Sequence, residues 1–290
     1  MSTPQQHHRP EPQGRQDPGG RVAAHHREGR GIARIGYPIG IRTVEVLRTE
    51  QLNPHMLRLT LGGPALDGFH THQADDHVKL VFPDADGALR LPTANAELAL
   101  DWPRPLPTTR KYTVRRFDAD TRELDLDFVV HAGGIASEWA RAARPGDQIA
   151  IAGPPGAKAF PHVYDHYVFA VDATALPATA RWLEESPQDV SADLVIETGH
   201  QDEHAYPLTH RDGVRITRLV REDGRSHLAA TVTALALPTS ATSPTSSAPR
   251  VFLFAAGEAE DIKPLRAWAK GRLDALFTGY WKRGVAGLED

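Results

Sequence analysis

The sequence predicts two units in series, an antiparallel β-barrel or sandwich followed by an α/β unit built on a parallel sheet. Three observations carry this. Short β-type runs broken by turn residues fill the chain from Ile41 to Ala152. Strand and helix patterns alternate after Pro161. The stretch up to Gly36 is mostly Gly, Pro, His, Gln and charge, and shows neither period.

That opening stretch, residues 1–36, has too little apolar surface to offset the entropy of ordering, so a disordered tail is expected. Its His7-His8 and His25-His26 pairs are weak metal binders or simply solvated. Six β-type runs follow: Thr43–Leu47, Met56–Leu61, Val78–Phe82, Tyr112–Phe117, Leu124–Val130 and Gln148–Ala152. Turns such as Gly62-Gly63-Pro64 and Arg144-Pro145-Gly146-Asp147 separate them.

Beyond Pro161, strands are expected at Tyr167–Val171, Leu194–Glu197 and Val251–Ala255. Helices are expected at Leu176–Glu185, Leu228–Leu237 and Ile262–Leu276. The Ser/Thr/Pro-rich stretch 238–249 reads as a flexible surface loop. The resulting division is a tail (1–36), a β unit (37–158) and an α/β unit (159–290).

Composition narrows the function classes. With 40% hydrophobic and 24% charged residues, the 290-residue chain is ordinary globular protein. A net charge of −4 and a pI near 6.4 give no global attraction to nucleic acid or an anionic membrane. There is no cysteine, which excludes disulfides, thiolate-ligated clusters and a Cys nucleophile. No apolar run reaches membrane-spanning length, and no signal-peptide core opens the chain. A soluble cytoplasmic protein, without a structural metal, is expected.

Two segments carry chemistry. On the expected strand Arg110-Lys111-Tyr112-Thr113, alternation puts Arg110 and Tyr112 on one face and Thr113 on the other. A cation, an aromatic plate and a hydroxyl at a strand end suit a phosphate-bearing ring cofactor, although a solvated strand face uses the same residues. The second segment is His131-Ala132-Gly133-Gly134-Ile135-Ala136-Ser137, which follows a strand and opens a helix near Ala136–Ala143. Glycines let backbone approach a ligand, and free amides at a helix start attract phosphate. Turning the chain and capping the helix through Ser137 is the competing reading.

Taken in order, R-x-Y-T, D-F-V-V-H-x-G-G-x-A-S-x-W-A and P-G-D-x-x-x-x-A-G-P resemble the siderophore-interacting FAD-binding proteins, within the ferredoxin-reductase-like class. The segments His77–Pro83, Asp172–Ala178, Gly257-Glu258-Ala259 with Lys263, and Gly279–Gly284 agree, so the resemblance spans about Thr43 to Gly284. It implies an N-terminal antiparallel β-barrel FAD-binding domain followed by a parallel-sheet α/β NAD(P)H-binding domain. Arg110 would face the pyrophosphate, Tyr112 would stack on the isoalloxazine and Thr113 would bond near N5. His131, Gly134, Ala136 and Ser137 would hold the phosphates. Thr174, Ala175, Pro177, Gly257 and Glu258 would border NADH or NADPH. Lys79, then Lys263, would attract an anionic ferric siderophore.

The implied activity is NAD(P)H-dependent, FAD-mediated ferric-siderophore reduction by a monomer, releasing Fe(II) without a classical catalytic acid, base or nucleophile. A non-turnover flavin or siderophore carrier, or a flavin reductase with another acceptor such as a protein redox partner, are the alternatives. The α/β unit lacks G-x-G-x-x-G. Gln201-Asp202-Glu203 after its second strand leans to NADH, and Pro154-Pro155-Gly156 offers the chelate no basic residue.

Overall fold

Residues 17–36, expected to be part of a disordered tail, are folded. The computed structural model describes residues 17–238 and 249–287. Helix α1 (Pro18–Glu28) starts on Asp17, whose carboxylate accepts the Gly20 amide at 2.9 Å, with Pro18 in its first turn. Strand β1 (Ala33–Gly36) pairs antiparallel with a later strand, and Val22, Ile35 and Tyr37 form a small apolar cluster with Ala157 and Ala159. Five apolar side chains shared between distant segments supply the burial that local composition did not announce. The rest of the expected tail, His7-His8 included, lies outside the described residues.

The six expected β runs close into a barrel. Its strands are β2 (Ile41–Asn53), β3 (Met56–Gly62), β4 (His77–Val81), β7 (Thr109–Asp118), β8 (Glu123–Val129) and β9 (Gln148–Ala152), in the order β2-β3-β8-β7-β4-β9. The two-residue strands β5 (Thr93–Ala94) and β6 (Leu100–Asp101) make a hairpin outside it. Val44, Val46, Leu59, Leu61, Val78, Leu80, Leu126 and Phe128 alternate inward and fill the interior. Helix α2 (Ile135–Ala142) plugs one end through Ala136 and Ala140. Strand β10 (Gly156–Ala159) then leaves the barrel and pairs with β1.

The second half is a five-stranded parallel sheet in the order β13-β12-β11-β14-β15. Its strands are β11 (His166–Asp172), β12 (Ala192–Thr198), β13 (Val214–Val220), β14 (Val251–Glu258) and β15 (Asp274–Trp281). The helices are α3 (Leu176–Glu185), α4 (Leu228–Thr233) and α5 (Ala259–Ala269). β11, β12 and β14 are buried on both faces, as a sheet covered by helices demands.

Two expectations shift here. The helix expected over Ile262–Leu276 ends at Ala269; Gly271, at φ +70°, turns the chain into β15, where Leu276 packs on the core. Strand β13 was not anticipated, because it is an edge strand whose Arg215, Thr217 and Arg218 dilute the apolar signal. The expected helix at 228–237 is shorter, and the loop expected at 238–249 falls, apart from its ends, outside the described residues. Among the described residues no helix is long and apolar enough to cross a membrane.

Candidate functional site

A cleft of about 2530 Å³ runs between the barrel and the parallel sheet. On the sheet side it lies at the carboxyl ends of the strands, lined by Asp172 and Thr174 after β11, Gly199 and His200 after β12, and Arg221 after β13. The strand order reverses direction between β11 and β14, and crevices for ligands form at such points.

The barrel wall brings the sequence's two signals together. Arg110, Tyr112 and Thr113 of β7 border the cleft, as do His131, Gly134, Ala136 and Ser137 at the start of α2. The Tyr112 ring lies over Phe128, centroids 4.1 Å apart, and burial raises its phenol. Thr113 is buried beside the Tyr280 hydroxyl. The Arg110 guanidinium donates to the Thr109 carbonyl at 2.7 Å, and a Cβ built on Gly287 would lie 3.0 Å from it, so the C-terminal segment reaches over this end of the cleft.

Gly133 takes φ +77° with nothing within 4 Å of a built Cβ; the backbone conformation, rather than space, calls for glycine. No side chain caps α2, whose N-cap is Gly134. The Ser137 hydroxyl accepts the His131 amide and donates to the His131 carbonyl, both at 2.8 Å. It therefore pins the glycine turn instead of capping the helix. The Thr278 hydroxyl, on the opposite wall, is buried without a hydrogen-bond partner among the described residues. An uncapped helix start, an aromatic plate and an orphaned hydroxyl around one cleft fit a phosphate-bearing ring cofactor.

In the sheet half the expectations divide. Thr174 and Pro177 line the cleft; Ala175 is buried behind them. Gly257 and Glu258 end β14 but are buried in the sheet. The Glu258 carboxylate accepts the amides of Glu260, Asp261 and Arg283 at 2.7–3.0 Å, and these bonds hold it below the usual carboxylate range despite burial. It is a helix cap. Lys263 is surface-exposed and paired with Glu260 at 2.9 Å, away from the cleft lining. Lys79 does line the cleft, its ammonium 5.2 Å from the Trp102 ring centroid.

Several cleft residues escaped the sequence reading. Asp75, just before β4, has a carboxyl pushed up to about 7, first by burial and then by Asp76 beside it. Asp172 accepts from Thr174, from the Glu258 amide and from the Trp281 indole at 2.5–2.9 Å. Arg34, Lys111, Lys158, Lys282 and Arg283 add cations to a lining that also holds acids such as Asp76, Asp127 and Glu203. The Pro154-Pro155-Gly156 turn indeed lacks a cation, but neighbouring strands supply several.

A closed antiparallel barrel joined through such a cleft to a five-stranded parallel sheet is the fold shared with solved ferredoxin reductases. Residues 45–158 match the family model for the siderophore-interacting FAD-binding domain, and residues 164–284 that for siderophore-interacting protein. The chain belongs to the siderophore-interacting protein family, and its cofactor is FAD. It is 36% identical to an NADPH-dependent ferric-chelate reductase of Escherichia coli, over 66% of this chain and 75% of that one. It is 33% identical to the ferric vibriobactin reductase ViuB of Vibrio cholerae, over 84% and 90%. The crystal structure of a siderophore utilization protein from T. fusca superposes with a TM-score of 0.79 at 36% identity, covering 89% of this chain and 98% of that one.

Proposed function

We propose that the protein passes electrons from NAD(P)H through FAD to ferric iron held in a siderophore, acting as a monomer in the cytoplasm and releasing Fe(II). The continuous cleft carries this reading, because one wall suits a flavin and the other a nicotinamide nucleotide. The bound flavin would convert a two-electron donor into single-electron deliveries. The chain's own part is position and charge. Arg110 and the α2 start hold phosphates, Tyr112 flanks the ring, and the Thr113 hydroxyl donates near its reactive edge. Thr174 and Pro177 seat the nicotinamide, and Lys79 draws the anionic chelate. Hard oxygen donors grip Fe(II) less tightly than the more charge-dense Fe(III), so reduction itself loosens the metal.

Arg221, the basic residue just after β13, is held by Glu197 and Asp261 at 3.2 and 2.7 Å. That occupation favours NADH over a donor with a 2′-phosphate. The E. coli relative's name points the other way, so both donors belong in the assay.

The purified protein should be yellow, bleach with NADH under nitrogen, and recover colour when a ferric siderophore and an Fe(II) trap are added. Arg110→Ala should weaken FAD binding roughly 10- to 100-fold, the worth of a charge-assisted bond to phosphate. A colourless protein that takes up no FAD refutes the proposal. A yellow protein that never oxidises NADH or NADPH with a ferric chelate is a carrier instead.

A further inference from the structure

The arm formed by α1 and β1 is seated on both halves of the molecule, largely through rings that titrate. The His26 ring of α1 stacks on His162, which lies just ahead of β11, with centroids 4.1 Å apart. Its Nε2 is 2.7 Å from the side-chain oxygen of Gln73, before β4, and its backbone carbonyl accepts the His162 amide at 2.8 Å. His70 and His72, themselves stacked at 5.6 Å, each meet the Tyr37 ring edge-on at 5.4 Å. Tyr37, just past β1, donates to the buried Asp76 at 2.9 Å. At the start of α1, a Cβ built on Gly19 would lie 3.0 Å from the His72 ring. Farther along, the Gly31 amide donates to the Tyr164 hydroxyl at 3.3 Å, and that hydroxyl donates to Asp274 of β15. Four histidines thus gather at the seat of the arm, and among the described residues no three metal-ligating side chains converge. His26 is packed ring on ring rather than solvated.

Neutral imidazoles stack without cost, whereas two imidazolium ions at this distance repel. Burial pulls His162 down to about 3, and His26 beside it adds to the fall. Burial also lowers His26, helped by His25 and opposed by the Gln73 bond, Glu185 and Asp76. For His70, burial and Arg42 outweigh the Gly68 carbonyl and Asp76. For His72, burial, His70 and Arg181 outweigh Asp17 and Glu185. A free imidazole titrates near 6.5, so the docked arm binds fewer protons than an arm that has left its seat. Docking is at full strength above pH 6.5 and weakens as pH falls toward the docked values. Buried acids act the other way, since burial raises Asp75 and Asp76. The arm touches that pair through the Tyr37 hydroxyl, whereas it bears on all four rings.

We infer that the arm is a histidine-latched cover on one wall of the cleft, docked at neutral pH and released in mild acid. Arg34, Ile35 and Gly36 of β1 line the cleft, as does Arg21 of α1, so release removes part of that wall. Between pH 7 and pH 5, His162 alone should raise the ratio of open to docked arm by up to about 25-fold. The latch depends on none of the ligands proposed for the cleft.

Hydrogen exchange of the full-length protein as purified, followed by mass spectrometry between pH 7.5 and pH 5, tests this. With intrinsic exchange rates divided out, protection over residues 18–37 should fall roughly 10- to 25-fold from pH 7 to pH 5 and return when the pH is restored. Protection of the paired barrel strands β3 and β8 should hold over the same range. His162→Phe keeps a ring to stack on but cannot ionise, so it should abolish most of the fall; His26→Phe should abolish part of it. His162→Lys, charged throughout, should leave residues 18–37 open at pH 7.5 with the barrel still protected.

Arm protection that ignores pH overturns the inference. So does a fall shared equally by β3 and β8, which is acid unfolding of the whole barrel. A fall that both phenylalanine variants retain in full also overturns it, and assigns the effect to the carboxylates. The wild-type profile decides the matter where a variant does not fold.

Discussion

Asp75 faces Asp76 and Tyr37 on its own side, Arg181 from α3, Lys158 from β10 and Tyr280 from β15. Burial and Asp76 dominate, and its carboxyl sits near 7 instead of 3.8. Between those values the folded chain keeps a proton that the unfolded chain has lost. The stability that this protonation contributes is complete below pH 3.8 and is gone above about pH 7. Asp75→Asn, which cannot ionise, should therefore match wild type near pH 4 and melt roughly 2–4 °C higher at pH 8, for about 1 kcal/mol. Calorimetry across that range checks it; parallel pH profiles would refute it. Asp75 was invisible in the sequence, since an Asp-Asp pair before a strand looks like any polar turn. That Arg110, Tyr112 and Thr113 would share one ligand-sized cleft was legible, because a strand's alternation and an ordered set of motifs converge on them. Glu258 and Lys263 show the limit. An acid at a helix start caps or touches ligand, and only the three amides around Glu258 decide which.

Among elements, the barrel strands and α3 were readable because their apolar periods are clean and their turns carry Gly, Pro and Asp. β13 and β15 were not, since an arginine-bearing edge strand and a strand that follows a helix after four residues blur the period. α1 and β1 depend on partners more than 100 residues away in sequence, which no local window reveals. The cap on α5 gives a test at this scale. Glu258→Ala strands three amides at once and should cost about 1–2 kcal/mol, lowering the melting temperature by roughly 2–8 °C. Affinity for NADH, measured by titration, should fall less than about twofold. A large loss of affinity at unchanged stability would return Glu258 to the nucleotide site.

Across the whole molecule, the two halves are fastened by named contacts. Arg115 of β7 makes a two-pronged pair with Glu184 of α3 at 2.8 and 2.5 Å. Arg181 of α3 donates to the Thr71 hydroxyl and the Val114 carbonyl of the barrel at 2.7 and 3.2 Å. Tyr206 bonds Asp127, which Arg58 also holds, and His55 stacks on His200 at 3.9 Å. Arg181→Met leaves buried acceptors unmet and should cost roughly 2–4 kcal/mol. Its calorimetric trace should split into separate barrel and sheet transitions; a single unshifted peak would refute this. Within the sheet half, one carboxylate does the opposite of a hinge. Asp172 ends β11 and holds the Glu258 amide of β14 and the Trp281 indole of β15, while any Cβ at Gly257 would fall 2.5 Å from it. Three adjacent strand tips are thus tied to one carboxylate. A nucleotide bound at these strand ends, as proposed above, would rest on a floor whose three tips one carboxylate ties together.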